Sequence, residues 1–190
     1  AHLWGKPWTA GMGIYRMSPY MCEKLSLLMR RGSAKHVETE LPALWGFVDK
    51  WIQKNGPCFF RASGASPKDS TAQYQPLLKA HTPHQVFDVC FNSLRFEEEL
   101  DHAAVLEGMA LVLTKWNEEI AKGDEYRILV VNGEYEIAMR MPNGEVADRV
   151  VAHALRKFVH THADRLPAPT LAMDVAFSHS LGKVFFIEHN

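Results

Sequence analysis

Residues 171–190 of the chain read LAMDVAFSHSLGKVFFIEHN, in which two apolar runs flank the polar segment 178–182. This pattern predicts an antiparallel hairpin of two strands, residues 171–177 and 183–190, joined by a turn that contains Gly182. Alternate residues of a strand point to the same face. Glu188 and Asn190 therefore share one face of the hairpin, although the strands are otherwise apolar.

The hairpin contains a candidate metal site. We expect Phe177 to pair with Lys183. Asp174 then lies diagonal to Glu188 on the same face, an arrangement in which Cα atoms are about 7–8 Å apart. Two carboxylates and the neutral oxygen of Asn190 form an oxygen-only ligand set that suits Mg²⁺, which proteins bind through one or two carboxylates and substrate phosphates. The alternative is that these are ordinary polar residues of a solvent-facing strand.

A second candidate site lies further towards the N-terminus, where residues 61–70 read RASGASPKDS. Small residues allow backbone N–H groups to approach an anion closely, and Arg61 and Lys68 place a cation on each side of the loop. The stretch therefore predicts a phosphate site, although it lacks the GxxxxGK[ST] pattern of the Walker A motif. A flexible surface connection is the alternative interpretation.

The rest of the sequence predicts helices and short strands. Helices are expected from Ser18-Pro19 to about Arg31, from Thr39 to Asn55-Gly56, and over residues 83–92, 97–113 and 145–162; strands are expected over residues 58–61, 110–116, 125–131 and 134–141. Residues 1–15 are expected to form an irregular arm anchored by aromatic side chains. Antiparallel hairpins with helices on one face indicate an α+β fold. The change of character near residues 112–117 divides it into lobes of residues 1–112 and 113–190.

The strands at 125–131 and 134–141 carry two further cations. They are joined by Asn132-Gly133, a strong signal for a two-residue hairpin turn. Such a turn places Arg127 opposite Ala138 and diagonal to Arg140, so that both cations share a face. Like charges on one face repel each other unless an anion lies between them. An anion-binding face and a solvated face both remain open.

Three stretches are specific enough to indicate a family. They are Ser-Pro-Lys-Asp at 66–69, Leu-Val-Leu-Thr-Lys-Trp at 111–116 and Glu-His-Asn at 188–190. With residues 60–70, 79–87, 125–127, 173–175 and 182–190, they resemble, in order, the ATP-grasp superfamily and within it the cell division cycle protein 123 family. The resemblance runs from about residue 41 to the end. It implies an ATP-grasp-like fold in which the antiparallel sheets of two lobes enclose a cleft for ATP and Mg²⁺.

The resemblance also implies roles for individual residues. The candidate catalytic cations are Arg61, Lys68 and Arg127, which the resemblance implies, and Arg140, which the hairpin register adds. The implied nucleotide-binding residues are Arg61, Ser63, Ser66, Lys68, Thr114, Lys115, Trp116, Asn117 and Arg127, among which Lys115 and Trp116 form the adenine hinge. The implied metal ligands are Asp174, Glu188 and Asn190. Arg61 stands where the family has Lys, Glu188 where it usually has Asp, and the family continues beyond Asn190 with an acidic segment that holds its protein partner.

Composition narrows the classes of function. A net charge of −1 argues against a protein that coats nucleic acid. Three widely spaced cysteines indicate neither a zinc site nor a disulfide framework, and they favour a reducing cytosol. No apolar run approaches the roughly 20 residues of a membrane span, and no secretory signal is visible. We therefore expect a cytoplasmic protein.

Three functions remain open at this point. Members of the resembled family bind ATP·Mg²⁺ and help to assemble eukaryotic translation initiation factor 2 by engaging its gamma subunit. An ATP-grasp ligase would instead join a carboxylate to an amine through an acyl-phosphate, a transfer that positioned cations and Mg²⁺ promote. A ligase of RNA ends would adenylate its substrate, for which the near-neutral charge gives little support. Each function requires the phosphate loop and the final hairpin to face one nucleotide.

Overall fold

The computed structural model describes residues 11–32, 34–64, 66–71 and 78–189, apart from the side chains of Arg165 and His189. The chain divides into two compact units, one of residues Gly11–Trp116 and one that contains the residues from Asn117 onwards. The boundary expected between residues 112 and 113 falls inside a strand. That strand belongs to the sheet of the first unit and does not open the second.

The first unit is a small antiparallel sheet with helices packed on it. Its elements are β1 (Gly13–Met17), α1 (Pro19–Arg30), α2 (Lys35–Glu40), α3 (Pro42–Asn55), β2 (Cys58–Ala62), α4 (Pro83–Phe91), α5 (Leu94–Val105) and β3 (Met109–Lys115). The strand order is β1–β3–β2, with β3 antiparallel to both neighbours. Phe60, Leu111 and Leu113 project from one sheet face into a core that helix residues such as Leu25 and Phe87 complete.

Polar residues at the helix starts fix where α1, α4 and α5 begin. Ser18, Thr82 and Ser93 precede these helices, and each hydroxyl accepts a hydrogen bond from a backbone N–H of the first turn. Proline follows Ser18 and Thr82, and its fixed φ suits the first helical position. Gly56 ends α3 with a φ of 82°, a conformation that glycine adopts without strain.

The second unit is an antiparallel sheet covered on one face by a long helix. Its elements are α6 (Glu118–Lys122), β4 (Asp124–Val131), β5 (Glu134–Arg140), β6 (Glu145–Val146), α7 (Arg149–His162), β7 (Leu171–Ser178) and β8 (Lys183–His189). The strand order is β6–β5–β4–β7–β8. Val151, Leu155 and Val159 of α7 pack on buried sheet residues such as Ile128 and Val175. The candidate residues of this unit are divided between this face and the opposite one.

The mixture of helices and antiparallel sheets confirms the predicted α+β class. Some element predictions are wrong. The helix expected over residues 97–113 spans Leu94–Val105, and residues 109–113 belong to strand β3. Gly13–Met17 is a strand rather than part of an irregular arm, whose residues 1–10 lie outside the described residues. α7 begins at Arg149 rather than near Glu145, because the Asp148 carboxylate accepts hydrogen bonds from two N–H groups of its first turn. Within the described residues, no helix has the length and apolarity of a membrane span.

Candidate functional site

The acidic residues of the final hairpin lie directly opposite each other on neighbouring strands. Asp174 on β7 pairs with Glu188 on β8. Phe177 pairs with Val184 and not with Lys183 as expected. A bulge after Asp174 then adds a further shift of one residue. The diagonal arrangement expected from the sequence is therefore wrong, and directly paired residues have Cβ atoms only about 4.5–5.5 Å apart.

Arg127 on β4 holds the buried member of this acidic pair. It lies opposite Asp174, and its Nε and one Nη each donate a hydrogen bond of 2.8 Å to a different oxygen of the carboxylate. Only 1% of Asp174 is exposed, whereas 40% of the Arg127 side chain is exposed. Hydrogen bonding and the charge of Asp174 raise the pKa of Arg127. Arg127, Asp174 and Glu188 thus form a charged row across β4, β7 and β8, on the face opposite the α7 core.

Arg140 does not belong to this row. A bulge between β4 and β5 displaces the register set at the hairpin turn, so that Arg140 pairs with Tyr126, a residue of the α7-facing core. The expectation that Arg140 shares a face with Arg127 is therefore wrong. Its guanidinium instead donates a hydrogen bond to Asp124, which also bonds to His179. The bond to His179, followed by the bond to Arg140, lowers the pKa of Asp124 despite its partial burial.

Arg61 and Ser63 lie at the end of β2 in the first unit. Arg61 pairs with Val112, and Thr114 lies on the same sheet face, the one opposite the core. Ser63 extends the pairing of β2 with β3, because its N–H donates to the carbonyl of Ala110 and its hydroxyl accepts from the N–H of Ala110. The Ser63 hydroxyl therefore has a structural partner.

Ser66 has an unsatisfied polar group. Ser66 is 7% exposed, and its hydroxyl is buried without a hydrogen-bond partner among the described residues. A buried polar group without a partner costs about 1–3 kcal/mol, and native structures contain few of them. The position therefore suits a ligand oxygen. Lys68, which follows in the same loop, is exposed.

One carboxylate within this loop and one beside it make contacts that the sequence did not indicate. Asp69 accepts hydrogen bonds from the Ser93 hydroxyl at 2.6 Å and from the Arg95 N–H at 3.0 Å, so it ties the loop to the start of α5. Burial raises the pKa of Asp69, but these hydrogen bonds outweigh it and the net pKa is lowered. The Glu99 carboxylate lies against Gly64. Its negative charge opposes an anion at that end of the loop.

The residues expected to form the adenine hinge follow one another where the two units join in sequence. Lys115 ends β3 opposite Cys58, and the N–H of Trp116 donates to the Pro57 carbonyl at 2.8 Å. Asn117 caps α6, because its side-chain oxygen accepts from a backbone N–H at 2.9 Å. The N–H of Trp116 and the side chain of Asn117 are thus already engaged. The groups that remain as candidates for binding adenine are the backbone carbonyl groups of this segment and the side chains of Thr114 and Lys115.

Lys79 is a candidate that sequence reasoning missed. Its ammonium lies over the ring of Trp116, 5.5 Å from the centroid, within the range of a cation–π interaction. The neighbouring residue Ala80 forms an isolated bridge with Cys58, which brings Lys79 to the end of β3. Lys79 falls within a stretch that carried the family resemblance, which was the one available signal.

The donor set of the charged row fits Mg²⁺. Among the described residues no group of three His, Cys, Asp or Glu side chains is placed to hold a metal. Proteins usually bind Mg²⁺ through one or two carboxylates, and phosphates and water complete its octahedral coordination. The two opposed carboxylates match this pattern. Asn190, the third predicted ligand, lies outside the described residues. The carboxylates therefore fit a metal ion that arrives with phosphate.

The fold is of the ATP-grasp-like α+β class, as predicted. It is shared with the solved structure of Cdc123 from Schizosaccharomyces pombe, at 17% identity and a TM-score of 0.62, over 77% of this chain and 64% of that one. The C-terminally truncated form of that protein matches with the same identity and TM-score, over 77% of this chain and 65% of its own. This chain thus spans less than two thirds of the length of those proteins.

More distant structural similarity extends to an enzyme. The D-alanine–D-alanine ligase from Coxiella burnetii matches with 11% identity and a TM-score of 0.39, over 93% of this chain and 41% of that one. No protein-family profile and no curated protein sequence matches the chain.

Proposed function

We propose that this chain binds ATP·Mg²⁺. The observation that carries the proposal is the direct opposition of Asp174 and Glu188, with Arg127 bonded to the buried carboxylate. Two carboxylates at paired positions repel each other, and a bound cation would relieve this repulsion. Bound Mg²⁺ would neutralise phosphate charge and orient the phosphate chain. Asp174, Glu188 and Asn190 are its proposed protein ligands.

The residues proposed to bind phosphate and adenine are all residues of the first unit except Asn117 and Arg127. Arg61 and Lys68 would bind phosphate oxygens as cations, and the Ser66 hydroxyl would donate the hydrogen bond that it lacks among the described residues. The Ser63 hydroxyl is bonded to Ala110, so Ser63 would act through its backbone rather than through its hydroxyl. Thr114, Lys115 and Trp116 would border the adenine, with Lys79 against the Trp116 ring.

We further propose that nucleotide binding serves an assembly role rather than ligation. The fold likeness to Cdc123 supports this choice. The family resemblance implies a translation-factor protein as the partner. Three buried free thiols, Cys22, Cys58 and Cys90, suit the cytoplasm as the compartment.

Calorimetric titration with ATP, ADP and GTP in the presence of Mg²⁺ tests the proposal. We expect ATP to bind to the wild type, and Arg61→Ala and Lys68→Ala each to weaken its binding about tenfold or more, since a charge-assisted hydrogen bond contributes about 1.5–3 kcal/mol. Lys157→Ala, on the exposed side of α7, is the control and should leave the affinity unchanged. Failure of the wild type to bind ATP would overturn the proposal.

Product analysis separates the assembly role from the two enzymes. ATP that is bound but not hydrolysed supports the assembly role. Release of ADP on addition of a carboxylate and an amine would identify a carboxylate–amine ligase. Release of AMP and pyrophosphate on addition of RNA with a free end would identify an adenylating enzyme.

A further inference from the structure

The carboxylate that would bind the metal is already occupied by a cation of the chain. Both oxygens of Asp174 accept hydrogen bonds of 2.8 Å from Arg127. Mg²⁺ binds carboxylate oxygens at about 2.0–2.1 Å. A metal ion on Asp174 would therefore lie close to the guanidinium, inside a site where Asp174 is only 1% exposed and solvent screening is weak. Free metal and Arg127 compete for the same carboxylate.

Arg127 has hydrogen-bond donors to spare for an anion. It is ion-paired with Asp174, which lies opposite Glu188. A guanidinium has five N–H donors, of which the fork to Asp174 uses two. Three donors are thus left on a side chain that is 40% exposed, and they can take an incoming anion. A metal that arrives with phosphate brings that anion, whereas a free metal ion does not.

We infer that Arg127 makes the carboxylate pair selective for a metal–nucleotide complex over free metal ion. The inference rests on the proposed function and names how that site discriminates. Without phosphate, Arg127 keeps Asp174 and excludes the metal. With a triphosphate, the guanidinium is shared between phosphate oxygens and Asp174, its hold on the carboxylate loosens, and a carboxylate oxygen can reach the metal. Metal and nucleotide binding are then positively coupled, typically by about 5–150-fold in such systems.

Electron paramagnetic resonance of Mn²⁺ tests this inference without nucleotide and without any activity. We expect the wild type to bind free Mn²⁺ weakly, and Arg127→Gln to bind it about tenfold more tightly or better. The same substitution should weaken ATP·Mg²⁺ binding, so that one change moves the two affinities in opposite directions. Gln retains a hydrogen-bond donor for Asp174, and Arg127→Ala serves as a second variant if the first folds poorly.

Arg30→Gln is the matched control. In the first unit, one Nη of Arg30 contacts both oxygens of Asp101, and its Nε lies 3.5 Å from Glu97, so its loss removes the same charge from another carboxylate pair. It should leave Mn²⁺ affinity unchanged. Equal or weaker Mn²⁺ binding by both Arg127 variants would overturn the inference and make Arg127 a residue that only positions Asp174. Tighter Mn²⁺ binding with no ATP binding by the wild type would support exclusion of free metal while refuting the nucleotide proposal.

Discussion

The carboxylate of Glu99 lies so close to Gly64 that a Cβ atom at Gly64 would come within 2.2 Å of Glu99 Oε1. Glu99 belongs to α5, and Gly64 belongs to the loop that carries Ser66 and Lys68. The loop that we propose to bind phosphate thus has a negative charge beside it. A side chain at position 64 would force the Glu99 carboxylate to move.

Removal of this charge should tighten ATP binding. Two unit charges several ångströms apart near a protein surface interact by about 1–4 kcal/mol, less when water screens them. We expect Glu99→Gln to raise the ATP affinity by about 2–10-fold in calorimetry at low salt. Glu98→Gln, one residue away and exposed, is the control. An unchanged or lower affinity in Glu99→Gln would show that no phosphate approaches Gly64.

Substitution of Ser66 should separate the stability of the protein from its affinity for nucleotide. Because the buried Ser66 hydroxyl has no partner among the described residues, Ser66→Ala should raise the free energy of unfolding by about 1 kcal/mol. The same change should weaken ATP binding, because it removes a donor to phosphate. Urea unfolding and calorimetry measure the two effects.

Ser63→Ala provides the comparison for Ser66. Its hydroxyl accepts from the Ala110 N–H, so its removal should lower the free energy of unfolding instead. If Ser66→Ala also lowers stability and leaves ATP affinity intact, the Ser66 hydroxyl is part of the fold and not of a ligand site.

The stability of the second unit should decrease in acid because Glu119 becomes protonated. Hydrogen bonds from Ser178, at 2.5 Å, and from Ser180, at 2.8 Å, lower the pKa of Glu119 below its usual 4.5. A carboxyl group with a lowered native pKa stabilises the fold fully above its unfolded pKa, and this stabilisation is lost as pH falls through the native value. The stabilisation by Glu119 should therefore be lost at pH values below about 4.5.

Carboxyl chemical shifts measured during an NMR titration check this directly. Glu119 should titrate below the usual range in the wild type and return towards it in Ser178→Ala, since the first and largest cause is then removed. A Glu119 pKa that is the same in both proteins would contradict the assignment. The charge of Lys122 is the smallest of the causes, so salt should change the Glu119 pKa little.

The class of fold and the elements with local sequence signals could be predicted from the sequence. Ser18-Pro19 and Thr82-Pro83 mark helix starts because capping and proline geometry are local properties. Asn132-Gly133 marks the β4–β5 turn because its φ values of 52° and 80° suit these two residues. These features need no information from distant parts of the chain.

The registers of the candidate site could not be predicted from local patterns. A bulge inserts one residue into a strand and changes every pairing beyond it, and its position depends on packing across the sheet. The bulge after Asp174 places Glu188 opposite it, and the bulge between β4 and β5 places Arg140 on the α7 face. Sequence reasoning therefore found the charged residues but misplaced the relations between them.

Contacts between segments far apart in sequence were also beyond the pattern analysis. The Arg127–Asp174 pair joins β4 to β7, and the ring contact of Lys79 joins a loop to the residue that follows β3. Each depends on tertiary packing rather than on spacing along the chain. The approach of Glu99 to Gly64 likewise joins α5 to a loop more than 30 residues earlier.

The dependence of ATP affinity on Mg²⁺ in a variant that carries Asp174→Asn and Glu188→Gln is the decisive measurement. In the wild type we expect Mg²⁺ to tighten ATP binding about tenfold or more, and in the variant we expect Mg²⁺ to have no effect. Asp124→Asn, on the opposite sheet face with Arg140, is the control that should keep the full effect, and thermal unfolding verifies that each protein is folded. A folded variant that retains the wild-type response to Mg²⁺ would contradict the assignment of Asp174 and Glu188 as the metal site.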